Sequence, residues 1–102
     1  MKRPVQWSRE ALDDFKAQIA YIAADSPAAA RRVAAHISRT CDALGEMTTG
    51  RPGRVNGAYE KLVAGLPYII AFALAAHAEG EVLSILRVIH TARDWPDDGW
   101  PD

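Results

Sequence analysis

The stretch YIIAFALAAHAEGEVLSILRVI, residues 68–89, decides the fold. Its first run is almost wholly apolar from Tyr68 to Ala76, and its second, from Glu81 to Ile89, is rich in leucine and β-branched residues. Between them lies His77-Ala78-Glu79-Gly80, a turn signal that ends on glycine. Two strand-length runs separated by such a break predict a β-hairpin. The near-continuous apolar character of the first run predicts a strand covered on both faces. Arg87 interrupts the second run. A guanidinium in a strand fit for burial must find a carboxylate, a carbonyl or a sheet edge.

The cover for that hairpin has to come from upstream. Leu12, Phe15, Ile19 and Ile22 recur at spacings of three and four, and this draws an apolar stripe down a first helix, with Asp13, Asp14, Lys16 and Gln18 largely on its wet side. Ser8 supplies an N-cap oxygen, and Glu10 sits in the first turn, where the helix dipole favours a carboxylate. Ser26-Pro27 ends that helix and begins the next, because proline suits the first helical position and disfavours helical geometry in the residue before it. Ala30, Val33, Ile37, Cys41 and Leu44 form the second stripe. So short a connection predicts an antiparallel helical hairpin. Before it, RPVQW reads as a short opening strand; after it, GEMTTGRPGRVNG (residues 45–57) reads as a surface loop and YEKLV as another short strand. The plan is α+β, in the order β-α-α-β-β-β, with the hairpin on one face of a small, mainly antiparallel sheet.

The chain has 102 residues, 49% of them apolar, which predicts one folded domain over residues 1–102, with 97–102 as a short acidic extension. Formal net charge is only −1, so bulk electrostatics neither steer the chain to nucleic acid nor keep it away, and no direct DNA binding is expected of it alone. The charge is uneven: residues 1–54 carry nine basic and six acidic side chains, and residues 55–102 carry three and seven. The single cysteine, Cys41, cannot form an internal disulfide, and the basic N-terminus leads into no apolar run, so the expected location is cytoplasmic. The longest uncharged apolar stretch falls short of the about 20 residues that a membrane helix needs.

The usual catalytic signatures are missing. No spacing of His, Cys, Asp or Glu matches a zinc or calcium site, so no metal or other cofactor is expected. There is no nucleophile elbow and no phosphate-binding glycine pattern. His36 and His77 read as solvated or packed residues. The remaining polar positions are Arg51 and Arg54, which flank the RPGR loop and are able to meet an anionic partner, and Glu60 and Lys61, neighbours on opposite strand faces. For Arg87 two readings stand level: a structural pairing with Glu60 on a nearby strand, and a functional role. His90, at the strand end, has an ordinary pKa near neutrality and suits acid–base work. The closing stretch RVIHTARDWPDDGWP, residues 87–101, gathers Arg87, His90 and Arg93 at three-residue spacing ahead of Trp95. Trp95 reads as an apolar plug at the end of the sheet.

Taken in order, an opening strand, SREALDDFKAQIAYIAADSPAAARR, the GRPGR loop, a PY pair opening a long strand and ILRVIHTARDW resemble the RelE/ParE superfamily of bacterial type II toxins, over about residues 5–96. Two branches share that fold. The resemblance to the RelE-like branch implies a ribosome-dependent, metal-independent mRNA endonuclease, in which cations activate a ribose hydroxyl and stabilise charge developing on the phosphate. Its pattern places an arginine after the tyrosine of the long strand and lysines in the strand before; here Ile69 and Ile70 follow Tyr68, Glu60 and Leu62 stand in the earlier strand beside Lys61, and Phe72 lacks a hydroxyl. Only Arg87, His90 and Arg93 are left as nuclease candidates. The resemblance to the ParE-like branch implies inhibition of DNA gyrase by binding, with no catalytic constellation to carry over. A third possibility is a non-toxic relic that keeps the antitoxin-binding surface. The implied partner is a ParD-like antitoxin whose disordered C-terminal part folds on the toxin. Target- or partner-facing candidates are Arg51, Arg54, Glu60, Tyr68, Arg87, His90, Arg93 and Trp95.

Overall fold

A computed structural model describes residues 3–53, 57–78 and 80–92. The elements run β1 (Val5–Trp7), α1 (Arg9–Asp25), α2 (Pro27–Glu46), β2 (Arg51–Pro52), β3 (Tyr59–Leu62), β4 (Tyr68–His77) and β5 (Gly80–His90). The strands form one sheet in the order β1-β5-β4-β3-β2. Among the described residues only the β1–β5 pair is parallel. Two helices on a five-stranded mixed sheet make this an α+β fold, as the sequence predicts.

Local chemistry sets the helix ends. The Ser8 hydroxyl accepts from the Ala11 N–H at 3.0 Å, and that of Ser26 accepts from the Ala29 N–H at 3.1 Å, so each serine satisfies an otherwise orphaned amide. Ser26 alone separates α1 from α2, with Pro27 at the first helical position of the second. Leu12 and Phe15 of α1 line the same cavity as Ser38 and Asp42 of α2, as an antiparallel hairpin requires.

Alternation along the hairpin strands builds two buried faces. Tyr68, Ile70 and Phe72 join Leu83, Ile85 and Val88 under the helices, against Ala11, Ile37, Cys41 and Leu44. Ile69, Ala71 and Ile89 lie on the other side and are buried as well. The prediction of a strand covered on both faces therefore holds from Tyr68 to Phe72 and gives way at the exposed Ala75 and Ala76.

Two expectations are corrected. The buried line of α1 is rotated by about one residue: Ala11 and Gln18 are buried, whereas Leu12 is 41% exposed. Both lines fit a 3.6-residue period; small Ala11 permits close approach to the sheet, which Leu12 would not. The loop also starts later than predicted, since α2 runs on through Gly45 and Glu46, and within it Arg51-Pro52 pairs with Tyr59-Glu60 as β2. Gly45 belongs in the helix for a steric reason. A Cβ there would lie 2.7 Å from the Arg3 carbonyl oxygen and 2.8 Å from Val5 Cγ2, where the chain leading into β1 crosses α2 and Arg3 N–H donates to the Gly45 carbonyl.

Candidate functional site

The sheet register brings three candidate positions, Arg51, Glu60 and Arg87, into one row, with Ala71 between the last two. Arg51 pairs with Glu60, Glu60 with Ala71, and Ala71 with Arg87, so the row crosses β2, β3, β4 and β5. The side chains do not form one cluster, because the two arginines turn to different carboxylates. Arg51 Nη2 lies 3.3 Å from Glu60 Oε1; Glu60 is only 5% exposed and Arg51 is 69% exposed. Glu60 is therefore a carboxylate set into the sheet and neutralised from its rim.

Arg87 does not reach Glu60, which corrects the expected pairing. Its Nε and Nη2 donate to Asp14 of α1 at 2.6 and 3.0 Å. The cause is the sheet edge. β1 pairs with β5 only through Ile85, and the edge beyond would present bare backbone groups. The Ser8 N–H donates to the Ile85 carbonyl at 2.9 Å, the Ser8 hydroxyl to the Leu86 carbonyl at 3.0 Å, and the Val88 N–H to Asp14 Oδ2 at 3.0 Å. Asp14 stands in for a missing strand, and Arg87 neutralises it. The register shift that leaves Leu86 without a partner on β4 is a bulge, a device that re-aims the adjacent side chain. Asp14, placed on the wet face by its charge, is the residue that sequence reasoning missed. Its spacing from Ala11 and Gln18 and the shortness of β1 were the available signals.

At the C-terminal end of β5, three residues beyond Arg87, His90 pairs across from Tyr68, with their rings edge-on and 5.3 Å apart. The Ala92 N–H donates to His90 Nδ1 at 3.1 Å and closes the turn after the strand. Arg54, Arg93 and Trp95 fall outside the described residues, as do 97–102. Among the described residues no group of three or more His, Cys, Asp and Glu side chains could hold a metal ion. Cys41 is buried, and burial together with the adjacent Asp42 carboxylate pushes its thiol up to about 12, which leaves no nucleophilic thiolate at neutral pH.

The sequence and the fold both match known proteins. The family model described as the ParE toxin of type II toxin–antitoxin systems, parDE, matches residues 5–95. The chain belongs to the ParE toxin family. Among curated proteins it is similar to "Putative toxin Y4kP" of Sinorhizobium fredii, 38% identical over 96 residues, or 93% of this chain and 95% of that one. Among solved structures it resembles a chain of the chromosomal ParDE toxin–antitoxin system from P. aeruginosa, with a TM-score of 0.76 over 87% of this chain and 96% of that chain, at 22% identity. The last likeness shows the fold. Within this ParE frame the positions where a nuclease branch would carry an arginine hold Ile69 and Ile70, both buried, and Phe72 is completely buried with Tyr59 stacked on it at 5.6 Å.

Proposed function

We propose that this ParE-family toxin is neutralised by a small cognate ParD-like antitoxin in the cytoplasm and arrests growth by capturing DNA gyrase, without itself making or breaking a covalent bond. The observation that carries this reading is the chemistry of β3 and β4. Phosphodiester cleavage without a metal needs several cations preorganised around the phosphate, and each such donor is worth about 3 kcal/mol of transition-state stabilisation. Here β4 offers buried isoleucines in their place, and Glu60 puts a buried negative charge on the neighbouring strand. Arg87, one of the three nuclease candidates, is already held by Asp14, and His90 spends Nδ1 on closing a turn. Cytoplasmic residence rests on the lone, buried thiol; among the described residues no helix is long and apolar enough to cross a membrane.

Induction in a bacterial host, alone and together with the protein encoded by the adjoining reading frame, tests the proposal. Filamentation and a DNA-damage response, both silenced by the neighbour, are expected. Translation arrest with cut ribosome-bound message points instead to the endonuclease, and unchanged growth to a relic.

A further inference from the structure

The sheet has two buried faces and helices on only one of them. Both helices pack on the side that carries Tyr68, Ile70, Phe72, Leu83, Ile85 and Val88. All five strands belong to one sheet, so no described helix or strand lies over the opposite side. Yet Ile89 is 0%, Ala71 1% and Ile69 6% exposed there. A sheet with one open face alternates buried and wet residues, and these positions do not. Something covers them.

The burial is graded, and the gradient locates the cover. Ile69 pairs with Ile89 one step from the end of both strands, where Tyr68 pairs with His90. On that face of β4, Ile69 and Ala71 are buried, Ala73 is half-buried and Ala75 is exposed. On β3, Glu60, paired with Ala71, is buried, whereas Leu62, paired with Ile69, is 58% exposed. The cover therefore lies over the end of β5 and runs obliquely toward Glu60, leaving the corner at Leu62 bare.

The chain leaves β5 at this same end. A turn follows His90, in which the Thr91 N–H donates to the Pro67 carbonyl at 2.9 Å, and the described residues stop at Ala92. Ten residues remain, RDWPDDGWPD, with two tryptophans and four aspartates. Extended, they reach about 33 Å, and the three strand spacings from β5 to β2 measure only about 14 Å. The oblique path ends at Arg51, which pairs with Glu60 and is mostly in water, so an acidic segment arrives at a cation.

We infer that residues 93–102 fold back as a strap over the outer face of the sheet, with the Trp95 indole on Ile69 and Ile89 and with Asp97 and Asp98 facing Arg51. A tryptophan buries about 150–250 Å², enough to shield two neighbouring isoleucines. Pro96 and Pro101 lack an N–H, which leaves the strap fewer backbone donors to satisfy outside a strand ladder. The strap gives this side of the molecule an acidic surface in place of an apolar one. The inference does not depend on the gyrase reading.

The test uses the full chain and a chain that ends at Ala92. In the full chain, nuclear Overhauser contacts are expected between the Trp95 indole and the methyls of Ile69 and Ile89, at concentrations where sedimentation shows a monomer. Trp95→Ala is expected to shift both methyl signals and leave that of Ile37, under the helices, in place. Arg51→Glu shifts the amide signals of Asp97 and Asp98. Ending the chain at Ala92 lowers Tm by about 5 °C or more and raises binding of an apolar dye. The Overhauser readout uses the unaltered chain, so a shortened chain that fails to fold does not hide the answer. Absent indole–isoleucine contacts overturn the inference, as does an unchanged Tm on removing 93–102. Contacts seen only between differently labelled copies also overturn it, and assign the cover to a second molecule.

Discussion

Two arginines on the same row of the sheet each pair with a carboxylate, and the two pairs do opposite work. Arg87 and Asp14 join a strand to a helix with two hydrogen bonds, and the carboxylate also holds the Val88 N–H; both side chains are largely shielded. Arg51 and Glu60 join two strands at the far edge by one 3.3 Å contact, with the arginine mostly in water. The first pair closes an edge that β1 is too short to cover. The second leaves a cation on the exposed rim of the sheet. Ion pairs of the same composition differ in worth because burial, geometry and the backbone groups they satisfy differ.

Substitution at Asp14 should break this contrast most visibly. Asp14→Ala strands a half-buried guanidinium and a backbone amide, and a loss of about 3 kcal/mol in urea unfolding is expected. Asp14→Leu/Arg87→Met recovers most of that loss, since an apolar pair of similar volume avoids the buried charge; Val88 amide exchange stays fast in both, and Ile69 exchange does not change. Gly45→Ala tests the support of the same edge from the other side. Alanine's better helix propensity offers about 1 kcal/mol, but the clash with Arg3 and Val5 costs more, for a net loss of about 1–2 kcal/mol in thermal or urea melts. Arg51→Ala is expected to cost about 0.5 kcal/mol or less, and 1 M NaCl should erase the difference. The same salt should leave the Asp14→Ala deficit nearly whole. Equal losses at Asp14 and Arg51, or equal salt sensitivity, would remove the distinction.

Much of this was legible in the sequence. The β4–β5 hairpin follows from residues 68–89, both helix caps follow from Ser8 and from Ser26-Pro27, and the α2 stripe follows from its spacing. The α1 face was not, because Ala11 and Leu12 both satisfy a helical period and only tertiary packing chooses between them. β2 was hidden by its length: two residues with a proline carry no strand pattern, and Arg51-Pro52 is a strand only because β3 is there to pair with it. At the site, the sequence required a partner for Arg87 but named Glu60. Glu60 does lie in register with Arg87 across Ala71, yet the bulge and the open edge of β5 turn the guanidinium toward α1. Periodicity says which face a residue is on, not which edge a missing strand leaves bare.

The proposed mode of action is tested most directly with purified components: DNA gyrase, relaxed plasmid and ATP, with this protein added over a range of concentrations. The account predicts that supercoiling falls and cleaved plasmid accumulates as the protein is added, that the antitoxin restores both, and that ribosome-bound message stays intact at the same concentrations. Undiminished supercoiling with no trapped cleavage, beside message cut on the ribosome, would contradict it.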